Sequence, residues 1–123
     1  MPVRYSIQDG VLTMELAGTY ESLDIMRAFL EAMKDPNCPN PAPLLVDVSA
    51  SESLATRPAE EIRMVAQFLG PYAARIGGRC AVVAPAAVQF GLSQMGAVHA
   101  ERVGVTVQAF RTREQALQWL KSE

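Results

Sequence analysis

The sequence predicts a single α/β domain over residues 1–123, ordered β-β-α-β-α-β-α-β-α, with a mixed five-stranded sheet, an N-terminal hairpin and helices covering it. Three observations predict this class. An Asp9-Gly10 pair separates two segments of alternating character. Two short apolar runs, residues 44–49 and 80–84, alternate with amphipathic stretches. The chain then closes on a further strand and helix. Such alternation implies parallel pairing through right-handed crossovers. Hydrophobic residues make up 50% of the 123 positions and charged residues 20%, enough apolar material for a packed core.

Val3-Arg4-Tyr5-Ser6-Ile7-Gln8 alternates as a half-buried strand does. Asp9-Gly10 suits the positive φ angles of a type I′ turn, and residues 11–16 return as the second strand, ended by Gly18. A helix over residues 22–34 follows, with Leu23, Met26, Leu30 and Met33 as its apolar stripe. Four prolines between residues 35 and 43 remove backbone donors and mark a loop.

The run 44–49 reads as a central strand buried on both faces. A hydroxyl-rich loop runs to Arg57. Pro58 then opens a helix whose first turn carries Glu60 and Glu61, and the stripe Ile62, Val65, Leu69, Tyr72 and Ile76 carries it to Gly77-Gly78. Residues 80–84 form the fourth strand. Val88, Leu92, Met95 and Val98 mark the buried side of a third helix. Residues 105–110 are the last strand, and Thr112 with Gln115 three positions on starts the final helix.

Composition excludes several classes. Cys38 and Cys80 cannot build a disulfide framework or a four-cysteine zinc site, and His99 is the only histidine, so no histidine cluster holds a metal. Cys80 reads as a core residue; Cys38, in the proline loop, is expected at the surface. No apolar run reaches the length of a membrane span, and residues 1–5 do not begin a signal peptide, so a cytoplasmic protein without membrane insertion is expected. A net charge of −2 argues against nucleic acid as a partner. The charge is uneven: residues 1–61 hold ten acids and four bases, residues 62–123 seven bases and three acids. Six of those seven bases are arginine, which suits an anionic partner, although a solvated surface has the same composition.

The ordered set of segments resembles the STAS domain, and within it the SpoIIAA-like branch of small bacterial proteins. The segments that carry the resemblance are the hairpin at Asp9-Gly10, Leu44-Leu45-Val46-Asp47-Val48-Ser49, Cys80-Ala81-Val82-Val83-Ala84, Phe90-Gly91-Leu92 and residues 107–120. The resemblance implies a non-enzymatic binding or regulatory module without a cofactor, working through a protein partner and as a homodimer. It also implies, as an alternative, a small carrier of a lipid or other amphiphilic or anionic ligand. In the classical anti-anti-sigma factors that share the STAS domain, a serine in an Asp-Ser-Ser-Gly-like motif opening the helix after the third strand is phosphorylated. Here the stretch reads Ser53-Leu54-Ala55-Thr56-Arg57-Pro58, which makes Thr56 and Ser53 the matching acceptors but contains neither an Asp-Ser pair nor a glycine.

Candidate binding residues are Asp47, Ser49, Ser51, Ser53, Thr56 and Arg57. They lie where a parallel strand ends, the usual place for a ligand or partner, and precede a helix N-terminus. Serine and threonine also cap and turn chains in such loops without a further role. Asp47, inside an apolar run, either orients the loop, serves as an acid–base group, or accepts loop N–H groups. Ser49, His99 and Asp47 have the composition of a hydrolytic triad, but no G-x-S-x-G elbow is present.

Overall fold

The computed structural model describes residues 2–122; Met1 and Glu123, which enter the N-terminal reading and the charge count, lie outside them. Five strands form one sheet in the order of the chain: β1 (Val3–Gln8), β2 (Val11–Leu16), β3 (Leu44–Asp47), β4 (Arg79–Val83) and β5 (Thr106–Phe110). β1 and β2 are antiparallel; β2 through β5 are parallel. Asp9 at φ 53° and Gly10 at φ 76° make the expected hairpin turn.

The helices are α1 (Ser22–Lys34), α2 (Ala59–Phe68), α3 (Ala87–Glu101) and α4 (Arg113–Lys121). Each parallel crossover steps one strand in the same direction. Right-handed crossovers of that kind stack their helices on one face, so α1, α2 and α3 share it. α4, following the last strand, covers β3, β4 and β5 from the other side. Two cores result. Leu12, Met14, Leu44, Cys80 and Val105 pack beneath the three crossover helices, with Phe29 from α1. Val11, Leu45, Ala81 and Val83 meet Ala116 and Leu120 of α4.

The period-2 alternation of each strand decides which residues face which core. Met14, Val46 and Val82 are register partners on the crossover-helix side. Glu15, Asp47, Val83 and Phe110 form the next row, turned toward α4.

Five expectations are corrected. The buried stripe of α1 is Ser22, Phe29 and Ala32, while Leu23 is 52% exposed. α2 stops at Phe68, because Gly70-Pro71 breaks the ladder. The chain continues to Ile76 in two short 3₁₀ turns and ends at Gly77, whose left-handed φ of 65° favours glycine. Three of the four residues of the α3 stripe face solvent, Val88, Met95 and Val98, while Leu92 turns inward; Gln89 and Ala100 are the buried positions of the helix. Cys38 is buried, its N–H donating to the Asp35 carbonyl at 3.0 Å. The third strand ends at Asp47, two residues early.

Candidate functional site at the carboxyl ends of the strands

Neighbouring parallel strands bring the loops after β2 and β3 together. Gly18 bridges Ser51, and its N–H donates to the Ala50 carbonyl at 2.8 Å. This contact divides the six candidate residues into two groups on opposite faces of the sheet.

Asp47 and Ser49 stand on the α4 side. The Ser49 N–H and hydroxyl both donate to Asp47 Oδ1, at 2.9 and 2.5 Å, and Arg113 of α4 donates to Oδ2 at 2.7 Å. The same guanidinium lies 3.8 Å from Glu15, the register neighbour of Asp47. Burial acts to raise the Asp47 pKa, but the Ser49 and Arg113 hydrogen bonds outweigh it, and the carboxyl sits below its usual value. The aspartate therefore orients the loop and neutralises Arg113. His99 belongs to the last turn of α3, across the sheet, and Ser49 donates to Asp47 rather than to an imidazole. The three residues of the conceivable triad do not assemble.

Ser51, Ser53 and Arg57 turn the other way, onto Tyr20. The Tyr20 and Ser51 hydroxyls share a hydrogen bond of 2.6 Å. Ser53 Oγ contacts the Tyr20 backbone at 3.4 Å. Arg57 gathers the rest. Its Nη2 donates to the Tyr20 carbonyl at 2.6 Å and to Ser53 Oγ at 2.9 Å; its Nη1 donates to Ser22 Oγ at 2.8 Å and to Glu61 Oε1 at 3.4 Å. Glu61 also accepts from Ser22 Oγ at 2.8 Å. The Arg57 side chain is only 6% exposed. Its Nε is buried with no hydrogen-bond partner among the described residues. Thr56 is exposed, its hydroxyl donating to the Ser53 carbonyl at 3.3 Å.

Arg57 also forms part of the wall of an apolar chamber of about 140 Å³. The row Met14, Val46 and Val82 forms its floor; Phe29 comes from α1, Ile62 and Val65 from α2, and Leu92 and Gly96 from α3. Tyr20, Ser22 and Glu61 were not singled out by sequence reasoning. The available signal was that Tyr20 closes the loop after β2, which a parallel β2–β3 pair must set beside the loop after β3.

The arginines of the C-terminal half mostly face protein. Arg79 lies over the Trp119 ring and donates to the Trp119 carbonyl; Arg111 lies over Phe90 and donates to the Pro85 carbonyl; Arg63 pairs with Glu60; Arg75 donates to the Pro39 carbonyl. Among the described residues no helix is long and apolar enough to cross a membrane.

A solved structure of an uncharacterised protein of the DUF3478 family, with a SpoIIAA-like fold, from Shewanella loihica PV-4, matches 96% of this chain and 91% of its own, with a TM-score of 0.57 and 18% identity. This chain has a SpoIIAA-like fold. The likeness extends from the hairpin to α4, so the architecture expected from the ordered segments is borne out, and at this identity it speaks for the fold alone. No family model matches the chain, and no curated protein does.

Proposed function

We propose that this SpoIIAA-like chain is a non-enzymatic binding module whose ligand is a small apolar or amphiphilic molecule held between the sheet and the three crossover helices. The observation that supports this most is the chamber: about 140 Å³ walled by aliphatic and aromatic side chains between the sheet and its crossover helices. Well-packed interiors contain few voids larger than a water molecule. A dry cavity of roughly 150 Å³ takes up a molecule the size of benzene. That size argues against a whole lipid chain and for a compact ligand.

Titration with cyclohexane or benzene tests the reading. Amide resonances of Met14, Phe29 and Val82 are expected to shift together and saturably, and Val82→Phe, which fills the chamber, is expected to remove the response. Unchanged spectra with both hydrocarbons would rule the reading out.

The outer edge of the loop favours a second reading, a protein partner. Ser49, Ala50, Glu52, Ala55 and Thr56 are all exposed there. Of the two matching phospho-acceptors, Thr56 presents its hydroxyl at the surface, whereas Ser53 is engaged by Arg57. Ala55→Arg with Thr56→Glu is expected to abolish capture of such a partner without disturbing the chamber; unimpaired capture would remove this loop as the docking edge.

A further inference from the structure

We infer that the outer edge of β1 takes up an extended acidic peptide, which adds to the sheet as a sixth, antiparallel strand. The site is separate from the chamber and does not depend on it. β1 ends the sheet, so one side of it has no neighbouring strand. The register decides which groups that side presents. The Ala17 N–H donates to the Pro2 carbonyl at 2.8 Å, which makes Pro2 and Ala17 a hydrogen-bonded pair. Such pairs alternate along an antiparallel ladder, so Arg4, Ser6 and Gln8 spend their backbone groups on β2. Val3, Tyr5 and Ile7 point theirs outward, and no group among the described residues meets them. The opposite edge, β5, runs against α3 and α4. Beside β1 an open groove of about 460 Å³ separates the strand from α1, with Val3, Tyr5 and Ala28 among its walls. The side chains of Val3, Tyr5 and Ile7 pack on the α1 side of the sheet. Alternate side chains of an added strand therefore enter the groove while its backbone continues the ladder.

Charge selects the peptide. Arg4 and Arg27 both line the groove, both are exposed, and neither makes an ion pair among the described residues. Glu15, the register partner of Arg4, lies with Arg113 instead. Asp24 is occupied by the Glu21 N–H at 2.9 Å. α1 returns antiparallel to β2 and so runs along β1 in the same sense, which puts Arg27 toward the Val3 end of the groove and Glu31 toward the Tyr5 end. The Tyr5 hydroxyl donates to Asp35 there at 2.9 Å. Carboxylates opposite Val3 and Arg4 meet Arg27 on one face and Arg4 on the other, and a lysine opposite Tyr5 suits Glu31. The only charged residue of β1 is Arg4, so a second copy of this strand does not supply those carboxylates.

The test uses the whole ¹⁵N-labelled protein and the probe acetyl-Val-Thr-Lys-Glu-Glu-amide, which runs antiparallel from Ile7 to Val3. Saturable shifts of the Val3, Tyr5 and Ile7 amide resonances are expected. Methylating the N–H of the probe's lysine, which faces Tyr5, is expected to abolish them. Methylating the N–H of its first glutamate, which faces away from β1, is expected to preserve them. The charge-inverted probe acetyl-Val-Thr-Glu-Lys-Lys-amide is expected to bind about tenfold more weakly, and Arg4→Glu combined with Arg27→Glu to reverse that preference. No saturable shift at the three amides, or the same response to both methylations, would overturn the added strand. Equal binding of the two probes would overturn the acidic preference. Exchange protection of the same amides that grows with protein concentration without any probe would give the edge to a second copy and overturn the inference.

Discussion

Arg57 lies over the ring of Tyr20 and hydrogen-bonds the carbonyl of the same residue at 2.6 Å, so one side chain ties the loop after β3 to the loop after β2. Thirty-seven residues separate the two positions in the chain. Two of the Arg57 partners, Ser22 and Glu61, belong to the first turns of α1 and α2, so the contact also sets the distance between the helices that roof the chamber.

Arg57→Ala is therefore expected to destabilise the fold by about 3 kcal/mol, because it leaves Glu61 without its cation and the partly buried Tyr20 carbonyl without its donor. Arg63→Ala serves as the comparison. Its partner Glu60 is 72% exposed, and a loss of less than about 0.5 kcal/mol is expected. Urea denaturation of both variants checks the difference, and equal losses would show that the Arg57 network carries no special weight.

Asp47 predicts a pH dependence. Its folded pKa lies below the usual 3.8, so the folded state holds the proton less tightly than the unfolded chain. The stabilisation is fully present above the unfolded value and is lost as pH falls from there through the folded pKa. Asp47→Asn should be less stable than the native chain at pH 7, and the gap should close progressively below about pH 4. A gap independent of pH would contradict the assigned hydrogen bonds with Ser49 and Arg113.

Burial pushes the Cys80 thiol up to about 12, and Cys38 is buried as well. A thiolate-selective reagent at pH 8 should leave both cysteines unmodified in the native protein and modify both in denaturant. Fast labelling of either in the folded state would contradict its placement.

Gly70 lies against α3's end: a Cβ there would fall 2.9 Å from Val103 Cβ. Gly70→Ala is expected to cost about 1–3 kcal/mol through overpacking. Val98→Lys, on the exposed side of α3, is expected to stay within about 0.5 kcal/mol of the native stability. Thermal unfolding of the two variants compares them directly.

What was legible in the sequence follows from which interactions are local. The hairpin was legible because Asp9-Gly10 carries the turn chemistry itself, and α4 because Thr112 accepts the Gln115 N–H at 3.2 Å. The strands β3 and β4 were legible as apolar runs. Helix faces were harder. α3 is apolar nearly all round, so Val88, Met95 and Val98 gave as good a stripe as the buried Gln89 and Ala100, and only the packing of α3 on β5 and α2 decides between them. In α1, Ser22 is buried because it bonds Glu61, a partner 39 residues away that no periodicity reports. The candidate loop was legible as a loop, but the division into an Asp47–Arg113 group and a Tyr20–Arg57 group depends on strand parity and on contacts across the chain.

The most direct measurement is the placement of xenon in crystals of the protein under pressure. Xenon enters apolar chambers of this size without needing a polar partner. A single strong site walled by Met14, Phe29 and Val82 is the expected result. Crystals that take up xenon elsewhere and leave those three side chains untouched would contradict a ligand-binding chamber beneath α2.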